Sequence, residues 1–220
     1  MGGVKCLLRW QHQGALPGRD DFERLCTAVE SLAKNNNKRR WQVNCTALKP
    51  VQLDTLGGRE TPSTTRSGDL FITKFLEAPS TAYMLLRQQR QVMSAEVGLL
   101  SSILDKVAPF KARAVLQFDG WAYTVGDFAV CVAKAFMRPG EELRGFMVEV
   151  EYLPVQSQQL AQAALQEFVE ILQAATAGAG CGLQRAQAPL ADFALPARFS
   201  PLHAAVQYSS LAAAFLSGRS

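Results

Sequence analysis

The apolar positions of this chain fall into two periods, and the order in which the periods alternate gives the first outline of a fold. Phe22, Leu25, Cys26, Val29 and Leu32 keep the 3–4 spacing of one helix face, with Asp20 as a cap and Glu23 three residues on completing a capping box. Val97, Leu100, Leu104 and Val107 repeat the pattern and Pro109 ends it. A third stripe, Leu160, Ala164, Leu165, Phe168, Ile171 and Leu172, opens after Ser157. A last helix is predicted from Pro201 to Phe215, proline being acceptable in a first turn. Its Ala- and Ser-rich side is expected to face outward and to be free to dock.

Between these stripes the period shortens to two. Strands are predicted over residues 4–10, 41–47, 69–75 and 82–88, the last two forming a hairpin around Pro79. Residues 113–125, 128–136 and 145–152 are joined by Gly126-Asp127 and by Arg138-Pro139-Gly140-Glu141, links short enough for an antiparallel meander. From Phe128 to Ala133 both faces are apolar, one large and one small (Ala129, Cys131, Ala133), as in a strand covered on both sides. In Val148-Glu149-Val150-Glu151-Tyr152 the alternation is clean, and Glu149 and Glu151 are expected on a charged, solvated outer face. Residues 49–68, with Pro50, Gly57-Gly58 and Pro62, and the Ala/Gly-rich residues 174–198 read as flexible loops. The class is α+β, a single domain over residues 1–220.

Composition narrows the reading only a little. Apolar residues make up 48% and charged ones 19%, the balance of a folded globular chain. A net charge of +4 is weak for a protein that lives on nucleic acid. Five cysteines, an odd number with no C-x-x-C pair, suggest buried thiols in a reducing compartment. No apolar run approaches the roughly 20 residues of a membrane span, and residues 1–10 lack the apolar stretch of a signal peptide. A soluble protein without membrane contact is expected.

Catalytic chemistry is hard to assemble. His12 and His203 have no local partners at ligand spacing, so neither a metal nor another cofactor is called for. Cys181, between two glycines, has nothing beside it to lower its pKa. Gly57-Gly58-Arg59 is a turn and not a phosphate loop. Glu149 and Glu151 would stand about 7 Å apart on one strand face, a glycosidase-like separation, but two carboxylates solvated alike do not divide into acid and base. Lys34, Lys38, Arg39 and Arg40 beside Trp41 offer an alternative function, a basic loop gripping nucleic acid by stacking and phosphate contacts. Arg87 and Arg90 form a second, smaller basic cluster.

The order of elements and several local strings resemble subunit 20 of the Mediator complex, the family related to a TATA-binding-protein-related factor. Tyr123-Thr124-Val125-Gly126-Asp127-Phe128 resembles the family's Tyr-x-x-x-Asp-Phe hinge. Gly145-Phe146-Met147-Val148-Glu149-Val150-Glu151-Tyr152 resembles its Gly-x-x-Val-Glu-Val-Glu-Tyr strand, and Val206-Gln207-Tyr208 a string in its closing helix. Residues 46–68 and 156–190 depart from the family pattern. The resemblance implies a curved antiparallel sheet closing toward a β-barrel, with packed helices and a C-terminal helix. It further implies a nuclear, non-catalytic subunit of the Mediator head module, bound to subunit 18, close to the C-terminal segment of subunit 8, and bridging regulators to RNA polymerase II and general factors. The TATA-binding protein is a further expected partner, and direct DNA binding is not expected. Val206, Tyr208 and Leu211 of the last helix, with Ala129 and Cys131 of the meander, are the expected partner-interface residues, since buried aromatic and aliphatic anchors dominate interface energies.

Overall fold

The computed structural model describes residues 3–12, 18–33, 38–53, 60–62, 69–107, 110–177 and 181–217. Its elements run β1 (Val4–His12), α1 (Arg19–Leu32), β2 (Arg39–Leu53), β3 (Glu60–Pro62), β4 (Leu70–Phe75), β5 (Thr81–Leu86) and β6 (Gln91–Glu96). A short 3-10 turn then leads into α2 (Leu100–Val107), β7 (Phe110–Val125), β8 (Phe128–Arg138), β9 (Glu142–Tyr152), α3 (Gln158–Ala177), β10 (Cys181–Arg185) and α4 (Pro201–Leu216).

The strands make one antiparallel sheet in the order β10-β1-β9-β8-β7-β2-β4-β5-β6, with β3 attached to β2. The predicted meander is its centre, and Gly126, at φ +58°, makes the tight β7–β8 turn. Two bulges, at Ala47/Leu48 between β2 and β7 and at Ala135/Phe136 between β8 and β9, bend these long strands. The sheet curls but does not close: among the described residues β10 and β6 are its two free edges. Closure toward a barrel holds only approximately, because β10 and β6 do not pair with each other, and α4 occupies the hollow.

α4 touches β1, β2, β4, β5, β6 and β7, strands from both halves of the sheet, so the face it lies on is the inner one. Phe118 approaches Tyr208 and Phe215 of α4 from this face, with ring centroids 5.6 and 6.1 Å apart. On the outer face α1 and α3 cover β7, β8, β9, β1 and β10, Phe168 stacking on Phe128 at 4.0 Å and Phe22 lying 5.4 Å from Phe146. Leu70, Ile72, Ala82, Met84 and Leu100 form a second small core with α2 at the far end of the sheet. The two-sided covering expected for β8 is therefore real, with Val130 and Val132 buried on one side and Cys131 and Ala133 on the other.

Several expectations change. The α1 cap is Gly18, whose N–H donates to Asp21 Oδ2 at 2.8 Å; Asp20 already lies inside the helix. In α3 the buried stripe is Ala161, Leu165, Phe168, Val169 and Leu172, leaving Leu160 and Ile171 exposed. β6 leaves no period in the sequence, because it is an edge strand with no buried residue. The flexible loop expected at 174–198 holds the end of α3, all of β10 and the buried Phe193. That expected at 49–68 includes the end of β2 paired with β3; residues 54–59 and 63–68 lie outside the described residues. His12 ends β1 opposite Cys181.

Candidate interaction site around the C-terminal helix

Because β-strand side chains alternate, Lys5 of β1 and Glu149 and Glu151 of β9 must share a face, and that face is the inner one under α4. Glu149 is 1% exposed, so the charged outer face expected for this strand is wrong. The sequence shows that helix but not its path across this strand. A buried carboxylate is tolerable only when paired and hydrogen-bonded, and Glu149 is both. Oε1 receives Lys5 Nζ at 2.8 Å and the Cys131 thiol at 3.8 Å, while Oε2 receives the Tyr208 hydroxyl at 2.5 Å. Lys5 also reaches Glu151 Oε2 at 3.2 Å, and the other oxygen of Glu151 accepts the Gly3 N–H at 2.5 Å.

The electrostatics follow from this packing. Burial pulls the Lys5 ammonium down, but Glu149 and Glu151 together outweigh it and hold its pKa above the ordinary value. Burial, reinforced by the Glu149 charge, pushes both Tyr208 and Cys131 up, so both stay protonated donors at neutral pH. A second polar chain lies beside the first, with Cys45 Sγ 3.4 Å from Thr73 Oγ1 and Thr73 Oγ1 3.3 Å from Ser209 Oγ. Burial takes the Cys45 thiol to about 12. Gln207 Nε2 donates to the Lys5 carbonyl at 3.0 Å, while its Oε1 is buried without a hydrogen-bond partner. These bonds fix how α4 is turned about its axis, something apolar contacts alone do loosely.

Val206, Tyr208 and Leu211 are 0%, 0% and 2% exposed. They face this chain's own sheet, where Tyr208 is surrounded by Trp41, Phe75 and Phe118 at 6.0, 5.7 and 5.6 Å. The Ala- and Ser-rich side of the helix is also largely covered, since Ala204, Ala205, Ser209 and Ala212 are buried. Ala129 is half-buried opposite Glu151, and Cys131 is buried opposite Glu149. His203 packs inside the helix start: its Nδ1 accepts the Ser200 N–H at 3.2 Å, its ring stacks on Phe199 at 4.9 Å, and burial lowers its pKa.

The basic loop does not come together as a nucleic-acid site. Trp41 is 5% exposed and packs inward, so it offers no ring for a base. Lys38 pairs with Glu30 at 3.5 Å, Arg39 with Glu77 at 2.9 Å and Arg40 with Asp119 at 3.3 Å. Lys34 lies outside the described residues. Arg87 and Arg90 bound the β5–β6 turn, where Arg87 lies over the Phe71 ring at 5.8 Å. Among the described residues no group of three or more His, Cys, Asp or Glu side chains could hold a metal, and no helix is long and apolar enough to cross a membrane.

Sequence reasoning missed Lys5 as the partner of Glu149. The signal was a lone charge inside Val4-Lys5-Cys6-Leu7-Leu8, but its carboxylates lie 144 and 146 positions away.

Fold and site define a class: a curled antiparallel sheet whose hollow is filled by its own C-terminal helix, pinned there by buried charges. Residues 13–213 match the family described as the TATA-binding related factor of subunit 20 of the Mediator complex, and the chain belongs to that family. It is thus a Mediator subunit, part of a transcription coactivator. It is 29% identical to Mediator of RNA polymerase II transcription subunit 20b of Arabidopsis thaliana, over 98% of this chain and 99% of the relative. Among solved structures it is similar to a chain of the Schizosaccharomyces pombe Mediator head module, with a TM-score of 0.45 and 16% identity over 82% of this chain and 98% of that one. It is also similar to an RNA triphosphatase of the same yeast, with a TM-score of 0.32 and 9% identity over 96% of this chain and 82% of the other.

Proposed function

We propose that this chain is a non-catalytic structural subunit of the Mediator head module, presenting the outside of a rigid, helix-filled sheet to its neighbours in the nucleus. The observation that carries this reading is the occupied hollow. The inner face, where a curled sheet of this kind could hold a substrate, is taken by Tyr208, Val206, Leu211 and Phe215 of α4. The two carboxylates best placed for acid–base work, Glu149 and Glu151, are bound to Lys5 and Tyr208.

In this reading the chain forms a direct heterodimer with Mediator subunit 18, lies near the C-terminal segment of subunit 8, and joins regulators to RNA polymerase II, general factors and the TATA-binding protein. Val206, Tyr208, Leu211, Ala129 and Cys131 serve that interface indirectly, by fixing α4 inside the sheet whose outer side is presented. Co-expression with a subunit 18 homologue, followed by size-exclusion chromatography, tests it. A stable 1:1 complex is expected; a monodisperse monomer that ignores this partner would count against the proposal.

A further inference from the structure

At the start of α4 the inner face opens into a cavity of about 180 Å³. Lys5 and Glu151 form one wall, Phe75, Glu77 and Tyr83 of the β4–β5 hairpin another, and Phe199 closes the third side. The mouth of a curled sheet is a recurrent place for a ligand, and a dry cavity of about 150 Å³ already accepts a benzene-sized guest. The chemistry of the walls selects the guest. One ammonium, Lys5, stands against two carboxylates, Glu149 and Glu151, so the cluster behind the cavity carries one net negative charge. Glu77 at the rim is 54% exposed and shares its charge with Arg39 outside.

Glu151 lines the cavity, and each of its oxygens keeps a free lone pair after binding Lys5 or Gly3. The opposing field is the N-terminus of α4, equivalent to roughly half a positive charge. It is smaller than the cluster's deficit, Pro201 supplies no N–H there, and the Ser200 N–H is already given to His203. The aromatic walls favour a flat cation with an apolar stem over a compact, strongly hydrated one.

We propose that this cavity receives the guanidinium of an arginine side chain presented by a partner subunit. The owner of that arginine rests on reading the chain as an assembly subunit; the preference of the cavity does not. The test is a titration of the isotopically labelled full chain with N-acetyl-arginine-N-methylamide, followed by NMR, with the lysine and norleucine analogues and inorganic phosphate as comparators. Saturable shifts at Glu151, Tyr83 and Phe199 are expected with the arginine probe. The lysine analogue should bind several-fold more weakly, and norleucine and phosphate should leave these residues unmoved. Glu77→Gln, at an exposed position, should weaken the arginine probe at least threefold with an unchanged melting curve, and Phe199→Ala should weaken it further.

No saturable shift, a lysine analogue that binds as well, or shifts reproduced by phosphate would each overturn the proposal. If subunit 18 binds but the arginine probe does not, and Glu77→Gln leaves the complex intact, the cavity proposal falls alone. If the probe binds and subunit 18 does not, the cavity stands and the assembly reading falls.

Discussion

Tyr208, halfway along the last helix, donates its hydroxyl to Glu149 of β9 across 2.5 Å, and both side chains are essentially inaccessible to solvent. A residue in the most apolar helix and one in a strand of clean alternation thus meet in the middle of the core. Tyr208→Phe keeps the ring among Trp41, Phe75 and Phe118 and removes only the donor. It should cost about 1–3 kcal/mol, the desolvation of an acceptor left with fewer partners. Glu149→Gln with Tyr208→Phe closes a double-mutant cycle, and chemical unfolding should give a coupling of about 0.5–3 kcal/mol. Additive losses would mean that the two side chains are not energetically linked.

That pair also marks the limit of what could be read from the chain. Period-two and period-3.6 patterns gave the meander, the β4–β5 hairpin, α1, α3 and α4, because burial on one face leaves a local trace. The fate of Glu149 left none. Alternation says that it faces away from Val148 and Val150, and only the path of α4, arriving from 59 residues later, decides whether that direction is water or core. For the same reason the chain alone makes Tyr208 a candidate partner-interface residue and leaves its contact with Glu149 invisible. β6 and β10, short and at the edges, carry too little burial to print a period.

Removing Lys5 tests the charge balance. Lys5→Met leaves Glu149 and Glu151 without their cation, and breaking a buried pair from one side costs about 3–5 kcal/mol. Equilibrium denaturation at pH 7 measures this directly. Lys5→Met combined with Glu149→Gln should be less damaging than Lys5→Met alone, since it removes a buried charge together with its partner.

Alkaline pH should unfold the chain cooperatively. Cys131, Tyr208 and Lys5 all hold their protons more tightly folded than unfolded. Their contributions are therefore complete below the unfolded values of about 8.5, 10 and 10.4, and fade as pH rises past each toward the folded ones. Stability should be level near pH 7–8, fall above about 9, and fall more steeply above about 10 as Tyr208 and Lys5 join. A flat profile to pH 11 would contradict the buried cluster.

On the acid side His203 acts in the opposite sense. Burial lowers its pKa, so its contribution is complete above the unfolded value of about 6.5 and is lost as pH falls through the folded value. A proton on Nδ1 would displace the Ser200 N–H and free the start of α4. Amide exchange at Ser200 should accelerate between pH 7 and pH 5 after correction for intrinsic rates, and His203→Gln should remove that dependence.

The most direct measurement concerns α4 as a whole. Deleting residues 199–220 removes Tyr208, Val206, Leu211 and Phe215 from the inner face and leaves Glu149 bound only from β1 and β8. Thermal unfolding of the truncated chain, followed by near-ultraviolet circular dichroism, should show no cooperative transition, because the hollow of the sheet has lost its core. A truncated chain that still melts cooperatively near the temperature of the full chain, and has lost only its partner, would place α4 outside the core and contradict the account.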